Sequence, residues 1–450
     1  MTRRRTLLLS LVGTCLLNVW GTGAGATTWR VEFDPAQPVD RVGQVVLSAA
    51  EGDSVLVGPG HYFEHIPVAN AMTLTIIGTE GATATILDGS VGIPGRSGSV
   101  LYCTQPGRGV LTLIGLSLIN GTGTPDPNIG GGGGGVYWWG DRGHGSVVLQ
   151  DCRFEGNIAV GAVWEGGAAS LNDLEACSVE RCEFKDNSAG GGGGDLIIAT
   201  PMTCPISIHD CTFDLAQPFT YQGDALSAYG GDVSFVHNTV TSSGGLGTVP
   251  ETLYLYTLVV RITDNTFIAT GGPHAARIWS VDPAKGMRDW STDVVFCRNH
   301  IWTDSDDPSP CIQFYYWTGG TVQFEDNVLI RAPVNIEISP SLAFNRNVLY
   351  RSPTTLWCAG PGSVSCCVAW PQSIANGSEC GPITLDRVLQ SDPLFCEDAP
   401  GDFDVQSNSP CVGSPDLPGC GVIGGVAVGC TVTPAIETTW GQIKARYRGR

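Results

Sequence analysis

The phrase "VVLQDCRFEGN" at residues 147–157 returns as "CSVERCEFKDN" from Cys177 and as "ISIHDCTFDLA" from Ile206. With Cys152 as the register mark, the equivalent positions downstream are Cys182, Cys211, Asn238, Asn265, Asn299, Asn327 and Asn347, at intervals of 20 to 34 residues. Five places before each mark stand Val147, Cys177, Ile206, Val233, Val260, Val294, Val322 and Leu342. Three before stand Leu149, Val179, Ile208, Phe235, Ile262, Phe296, Phe324 and Phe344. Two after come Phe154, Phe184, Phe213, Val240, Phe267, Ile301, Leu329 and Leu349, and Leu111, Leu113, Leu116 and Leu118 fit one coil earlier. Apolar residues two apart spell a strand, and a phrase recurring every 20 to 50 residues spells a solenoid.

The fold expected is therefore all-β, a β-solenoid in which each phrase lies directly over the last. The inward parity changes between the third residue before the mark and the mark itself, so the chain must bend there. Asn suits a bend, because it tolerates the left-handed conformation and its amide can hydrogen-bond along a stacked column. Cys at the first three marks is expected to be buried, as free thiols or with one neighbouring pair oxidised. Immediately before the marks come Asp151, Arg181, Asp210, His237, Asp264, Arg298, Asp326 and Arg346. At a strand spacing of about 4.8 Å this alternation of acid and base would stack opposite charges and penalise a slipped coil.

Composition narrows the setting. The chain has 450 residues, 61 of them Gly, and a formal charge of −19. Nucleic acid and anionic membranes, which recruit basic patches, are poor partners for such a chain. Residues 1–26 read as an export signal: Arg3, Arg4 and Arg5, an apolar run from Leu7 to Trp20, and a small-residue cleavage site before residue 27. The mature chain then has no apolar stretch long enough to cross a membrane. It retains 16 of 17 cysteines, an even number that in an exported chain favours several disulfides. A secreted, periplasmic or cell-surface monomer is expected.

The domain reading places an N-terminal cap and first coil at 27–70, the solenoid body at 71–385 and a cysteine-rich cap at 386–430. Cys396, Cys411, Cys420 and Cys430 are expected to fasten that cap. A tail at 431–450 carries Lys444, Arg446, Arg448 and Arg450 and reads as a solvated end, or else as a sorting or docking segment. The glycine runs at 130–135 and 190–194 read as turns between coils, since no GK[ST] and no helix pattern follows them.

"VVLSAAEGDSVLVGPGHYFEHIPV", "MTLTIIG" and "TILDG" resemble the opening coils of the right-handed parallel β-helix, or pectate-lyase-like, superfamily. "FEGN", "FKDN" and "GGAAS" are similar to the FxxN and GGA repeats of polymorphic outer-membrane proteins. The stretch from "SDPLFCEDAPGDFDV" to "GGVAVGC" resembles the cysteine-rich end of bacterial β-helix repeat proteins. The resemblance covers nearly all of the mature chain and implies a single-stranded right-handed parallel β-helix, exported by a bacterium. It implies carbohydrate as a ligand class, and in the superfamily's enzymes either paired carboxylates for hydrolysis or Asp-bound calcium with a basic residue for elimination.

A second strand precedes each phrase: "GDLIIAT", "GDALSAY", "ETLYLYT", "AARIWSV", "CIQFYYW" and "VNIEIS". If Leu196, Leu226, Leu253, Leu255, Ile278, Ile312, Phe314 and Ile336 point inward, then Tyr229, Tyr254, Tyr256, Trp279, Tyr315 and Trp317 point outward. Such rings stack on the apolar faces of sugars, and Asp195, Asp224, Arg277, Gln313 and Glu337 on the same strands could bond hydroxyls. The competing reading is that loops between coils, such as 282–291, cover the rings.

Catalytic signals are thin. His144 in "GHG" with Asp306 and Asp307 echoes a polygalacturonase motif set, but in the wrong chain order. Arg277 with Asp224, Glu251 and Asp282 could serve a lyase, yet no tight carboxylate cluster recurs on successive coils. Asp304, Asp306 and Asp307 could hold calcium or form an ordinary solvated loop. No other cofactor is expected. The expectation is a non-catalytic recognition or adhesion protein that binds a polysaccharide or cell-surface glycan through its aromatic face. A polysaccharide lyase or glycoside hydrolase is the alternative.

Overall fold

The computed structural model describes residues 26–430 apart from 70–71, 97, 104, 126–131, 160–165, 191–193, 202, 216–224, 244–252, 258, 271–275, 280–292, 305–309, 316–319, 340, 359–360, 378–382 and 398. It also describes the backbones of the strands Arg5–Thr6 and Asn18–Gly21, and of Ala276–Trp279, whose side chains lie outside the described set. Each coil of the body consists of three short strands, and each strand inside the stack pairs in parallel with its counterpart one coil above and one below. The first two strand families share a 27-stranded sheet, which includes the N-terminal strands, and the third forms a sheet of 12. The chain is a single-stranded parallel β-helix.

The stacking follows the phrase. In the first family Leu111, Val147, Cys177, Ile206, Val233, Val260, Val294, Val322 and Leu342 are successive partners. In the second, Leu118, Phe154, Phe184, Phe213, Val240, Phe267, Ile301, Leu329 and Leu349 are. Nearly all are fully buried in one continuous core. Identical side chains at one coil's separation stack flat: Phe184 on Phe213 at 4.7 Å and 5°, Phe324 on Phe344 at 4.9 Å and 2°. Offset stacking adds about 0.5–1.5 kcal/mol per ring pair beyond burial.

The bend between first and second strands corrects the sequence expectation. The left-handed residue is not the Asn or Cys mark but the charged residue before it, from Asp151 at φ 52° through Asp264 at 61° to Arg346 at 52°. Gly115, Cys366 and Arg387 occupy the same place in flanking coils, also with positive φ. The reason lies in the Asn side chain, which points into the tube and is fully engaged there. Asn265 Nδ2 donates to Phe235 O at 2.9 Å and to Asn299 Oδ1 at 3.0 Å, while Asn299 Oδ1 also accepts the Asn265 backbone N–H at 3.1 Å. The pattern repeats at Asn238, Asn299 and Asn327. A ladder that saturates every amide and the backbone at the corner leaves the turn to a residue whose side chain faces water.

Cys takes the same role where it replaces Asn. The Cys211 thiol faces Val179 O at 3.7 Å and accepts the Cys182 backbone N–H at 3.4 Å, and Cys367 faces Phe344 O at 3.6 Å. Cys152, Cys182 and Cys211 are buried free thiols, the first of the two outcomes expected for them. Burial raises the Cys177 thiol beyond the ordinary range and the Cys367 thiol to about 12, so both stay protonated and weakly nucleophilic.

Both ends are built from other material. Helix α1, Arg41–Ser48, lays Val42, Val45 and Val46 onto the first coil. Its N-cap, Asp40, is left-handed and makes no side-chain cap; Glu64 caps the helix instead, accepting the N–H groups of Val42 at 2.7 Å and Gly43 at 3.0 Å. At the other end a second core forms outside the tube. Phe403, Val405, Leu417, Ile423 and Val426 pack on Trp302, Val328, Ile330, Val348 and Val368, the outward residues of second strands.

Two disulfides hold that region among the described cysteines, fewer than the several expected. Cys396–Cys430 closes it on itself, and Cys366–Cys420 ties it to the last coils. Cys411, expected to be a fastener, is a free thiol buried in the second core, and its burial pushes it up to about 12. No helix of the described residues is long and apolar enough to cross a membrane.

Candidate functional site

The third strand family carries the expected aromatic residues. Its inward positions are filled as the alternation requires: Leu196, Leu226, Leu253, Leu255, Ile312, Phe314 and Ile336 are all completely buried. Ile278 pairs with Leu255 and Phe314 in the same inward row. Parallel pairing in unbroken register then fixes two outward rows. One runs Tyr137, Ser170, Ile197, Ser227, Tyr254, Arg277, Gln313 and Asn335. The other runs Trp139, Asn172, Ala199, Tyr229, Tyr256, Trp279 and Tyr315.

Four aromatic residues of the second row therefore stand on four consecutive coils. Tyr229, Tyr254 and Tyr256 are half-buried, and the Tyr229 and Tyr254 rings lean on each other diagonally, 5.6 Å apart at 46°. The side chains of Arg277, Trp279 and Tyr315, and all of Trp317, lie outside the described residues; the backbone register places the first three in these rows. Trp357 extends the aromatic row beyond Glu337, with which it pairs, and the sequence reading missed it. Its signal, the alternation in "TTLWC", was as clear as in the strands before it.

Cover on this face is uneven: toward the N-terminal end Tyr137, Ser170, Ile197 and Ser227 are fully buried, and farther along the row Gln313 is nearly so. The glycine run is part of that cover. A Cβ on Gly132 would clash with the Tyr137 ring, and one on Gly133 with the Val136 carbonyl oxygen and the Ser170 backbone nitrogen, so glycine is needed there for close approach. One expectation about the face needs correction. Asp195, offered as a hydroxyl partner, is completely buried and accepts a hydrogen bond from Asn187 Nδ2 at 2.9 Å. Asn187 is itself bonded to Asn157 Nδ2 at 3.0 Å, so Asp195 finishes a second amide ladder.

The catalytic candidates do not assemble among the described residues. His144 closes a turn with Asp141 through reciprocal backbone bonds of 3.0 and 3.1 Å. Asp304 is exposed; Asp306, Asp307, Asp224, Glu251 and Asp282 lie outside the described residues. A broad cleft of about 550 Å³ between Gly143 and Pro201 is lined by one carboxylate, Glu175, and one thiol, Cys204. Glycoside hydrolysis by the usual route needs two facing carboxylates. No group of three or more His, Cys, Asp or Glu residues able to hold a metal occurs among the described residues.

No protein-family model, no curated protein and no solved structure matches this chain.

Proposed function

We propose that this β-helix is an exported, non-catalytic recognition protein that binds an extended glycan along the outer face of its third strands. The observation that carries the reading is the register of Tyr229, Tyr256, Trp279 and Tyr315 on four successive coils. Coils about 4.8 Å apart repeat at a pitch similar to the length of a sugar ring. A row of flat rings at that pitch offers successive residues of a polysaccharide one stacking platform each. Arg277 stands between Tyr254 and Gln313 in the neighbouring backbone row, a basic residue whose charge would suit a carboxylated or sulfated sugar. The export signal, the disulfides and the resemblance to the pectate-lyase-like superfamily favour the same setting.

The test is affinity electrophoresis against neutral and acidic polysaccharides, with Tyr256→Ala and Trp279→Ala beside Arg261→Ala on an exposed position of the first strands. Retardation by at least one polysaccharide is expected, weakened about tenfold or more by each aromatic substitution, a loss of about 1.4 kcal/mol, and untouched by the control. Retardation that survives both substitutions would sink the aromatic face. Release of unsaturated products or new reducing ends would replace binding with catalysis.

A further inference from the structure

The two ends of the tube are finished differently. At the start, α1 buries three valines against the core. At the far end the inward row that runs through Phe324, Phe344 and Val364, all fully buried, stops at Leu385, which pairs with Val364 and is 58% exposed. The strand that carries it, Ile383–Gln390, pairs among the described residues only with Gly362–Trp370, so its other edge is open. In the third family Ile374–Asn376 is likewise terminal, and the exposed Asn376 sits above the buried Leu356. A small opening of about 40 Å³ lies among Leu356, Ile374, Ile383 and Leu385, the last apolar residues of the stack. The cysteine-rich region does not close it, because its apolar residues pack sideways on the second strands. An uncovered solenoid end exposes both apolar core and unpaired backbone, the two features that drive aggregation.

We propose that residues 431–450, which lie outside the described residues, cover this end. Their starting point is close: Cys430 is joined to Cys396, six residues beyond the end of the terminal strand at Gln390, a span of at most about 21 Å. Twenty residues reach about 30 Å even as a helix. Their pattern fits an apolar end: Ile436, Trp440, Ile443 and Tyr447 recur at spacings of four, three and four, the period of one helical face. Lys444, Arg446, Arg448 and Arg450 fall at its end, so the segment is cationic in a chain of net charge −19, and long-range attraction holds it to the body. Gly441 within the pattern costs helix about 1 kcal/mol, so the face forms by docking rather than in isolation.

Hydrogen exchange of the 383–390 amides, read by mass spectrometry, tests this. Three proteins are compared: the full chain, the full chain carrying Trp440→Asp and Ile443→Asp, and a chain ending at Cys430. The full chain is expected to exchange at least tenfold more slowly than both others, with a synthetic 431–450 peptide restoring protection to the truncated form. Equal exchange in all three overturns the proposal. So does protection that survives truncation and rises with protein concentration, which would make a second copy the cover. Should the truncated chain fail to fold, the doubly substituted full chain decides alone.

Discussion

Arg298 holds a bidentate pair with Asp264, both contacts 2.6 Å, while its own backbone sits at φ 55°. The pair holds the Asp264 carboxyl below its ordinary range, the Arg298 hydrogen bond being the main cause. The Arg298 side chain is 55% exposed, so solvent screens the pair to about 0.2–1 kcal/mol. Left-handed backbone costs a residue with a Cβ about 1–2 kcal/mol, and a β-branched one more. Conformation should therefore outweigh charge. Arg298→Gly is expected to stay within about 1 kcal/mol of the parent, losing the pair but relieving the turn, while Arg298→Val loses about 2 kcal/mol or more. Urea midpoints at fixed ionic strength measure both. Equal losses would show that the ion pair, not the turn, dominates this corner. The alternation of charge was legible in the sequence; the left-handed turn beneath it was not. Asn is the residue that usually supplies such a turn, and only the ladder through Asn265, Asn299 and Asn327 shows why it is committed elsewhere.

Among the elements, the strands were legible and the helix was not. The inward rows follow from alternation alone, because a slip of one residue would turn every Leu and Phe of a strand to water. Which outward rings are covered depends on loops from other coils, so Tyr137 and Tyr254 look alike in sequence and differ in burial. Helix α1 is short, contains Gly43, and takes its cap from Glu64, 22 residues from Val42. No local signal reports that. Burial pushes the Glu64 carboxyl from 4.5 up to about 7, against the pull of the Val42 and Gly43 N–H groups and with help from Asp40. Since the folded value lies above the unfolded one, Glu64's contribution is complete below about pH 4.5. It is lost as pH rises through about 7. Exchange of the α1 amides is therefore expected to become easier from pH 5 to pH 8, after correction for intrinsic rates, by up to a few kcal/mol. Glu64→Gln should flatten that trend. A parent protein with the same α1 opening energy at both pH values would remove Glu64 as its titrating cap.

For the whole molecule, one continuous core built from repeated coils makes stability a sum of coil-to-coil contacts, with no central nucleus that must be kept. What must be kept is phase. Removing residues 178–233 joins Cys177 to Ser234 and takes out two complete coils. The new strand then reads Cys177, Ser234, Phe235, so both inward residues keep their parity. Asp151, His237 and Asp264 still alternate in charge, and Leu171 comes to lie beneath Leu255 in the third family. Removing residues 178–234 instead places Cys177 directly before Phe235, so one of two inward residues must turn outward. Exposing an aromatic core residue costs about 3–5 kcal/mol. The in-phase deletion is expected to unfold in one transition with a urea slope reduced in proportion to the surface lost. Its strands on both sides of the seam, Ser146–Gln150 and Val259–Thr263, should keep slow hydrogen exchange. The out-of-phase deletion should lose that protection at the seam first, while coils from Asn299 onward retain theirs, because each coil answers only to its neighbours. If the two deletions behave alike, stacking in register is not what holds the tube together.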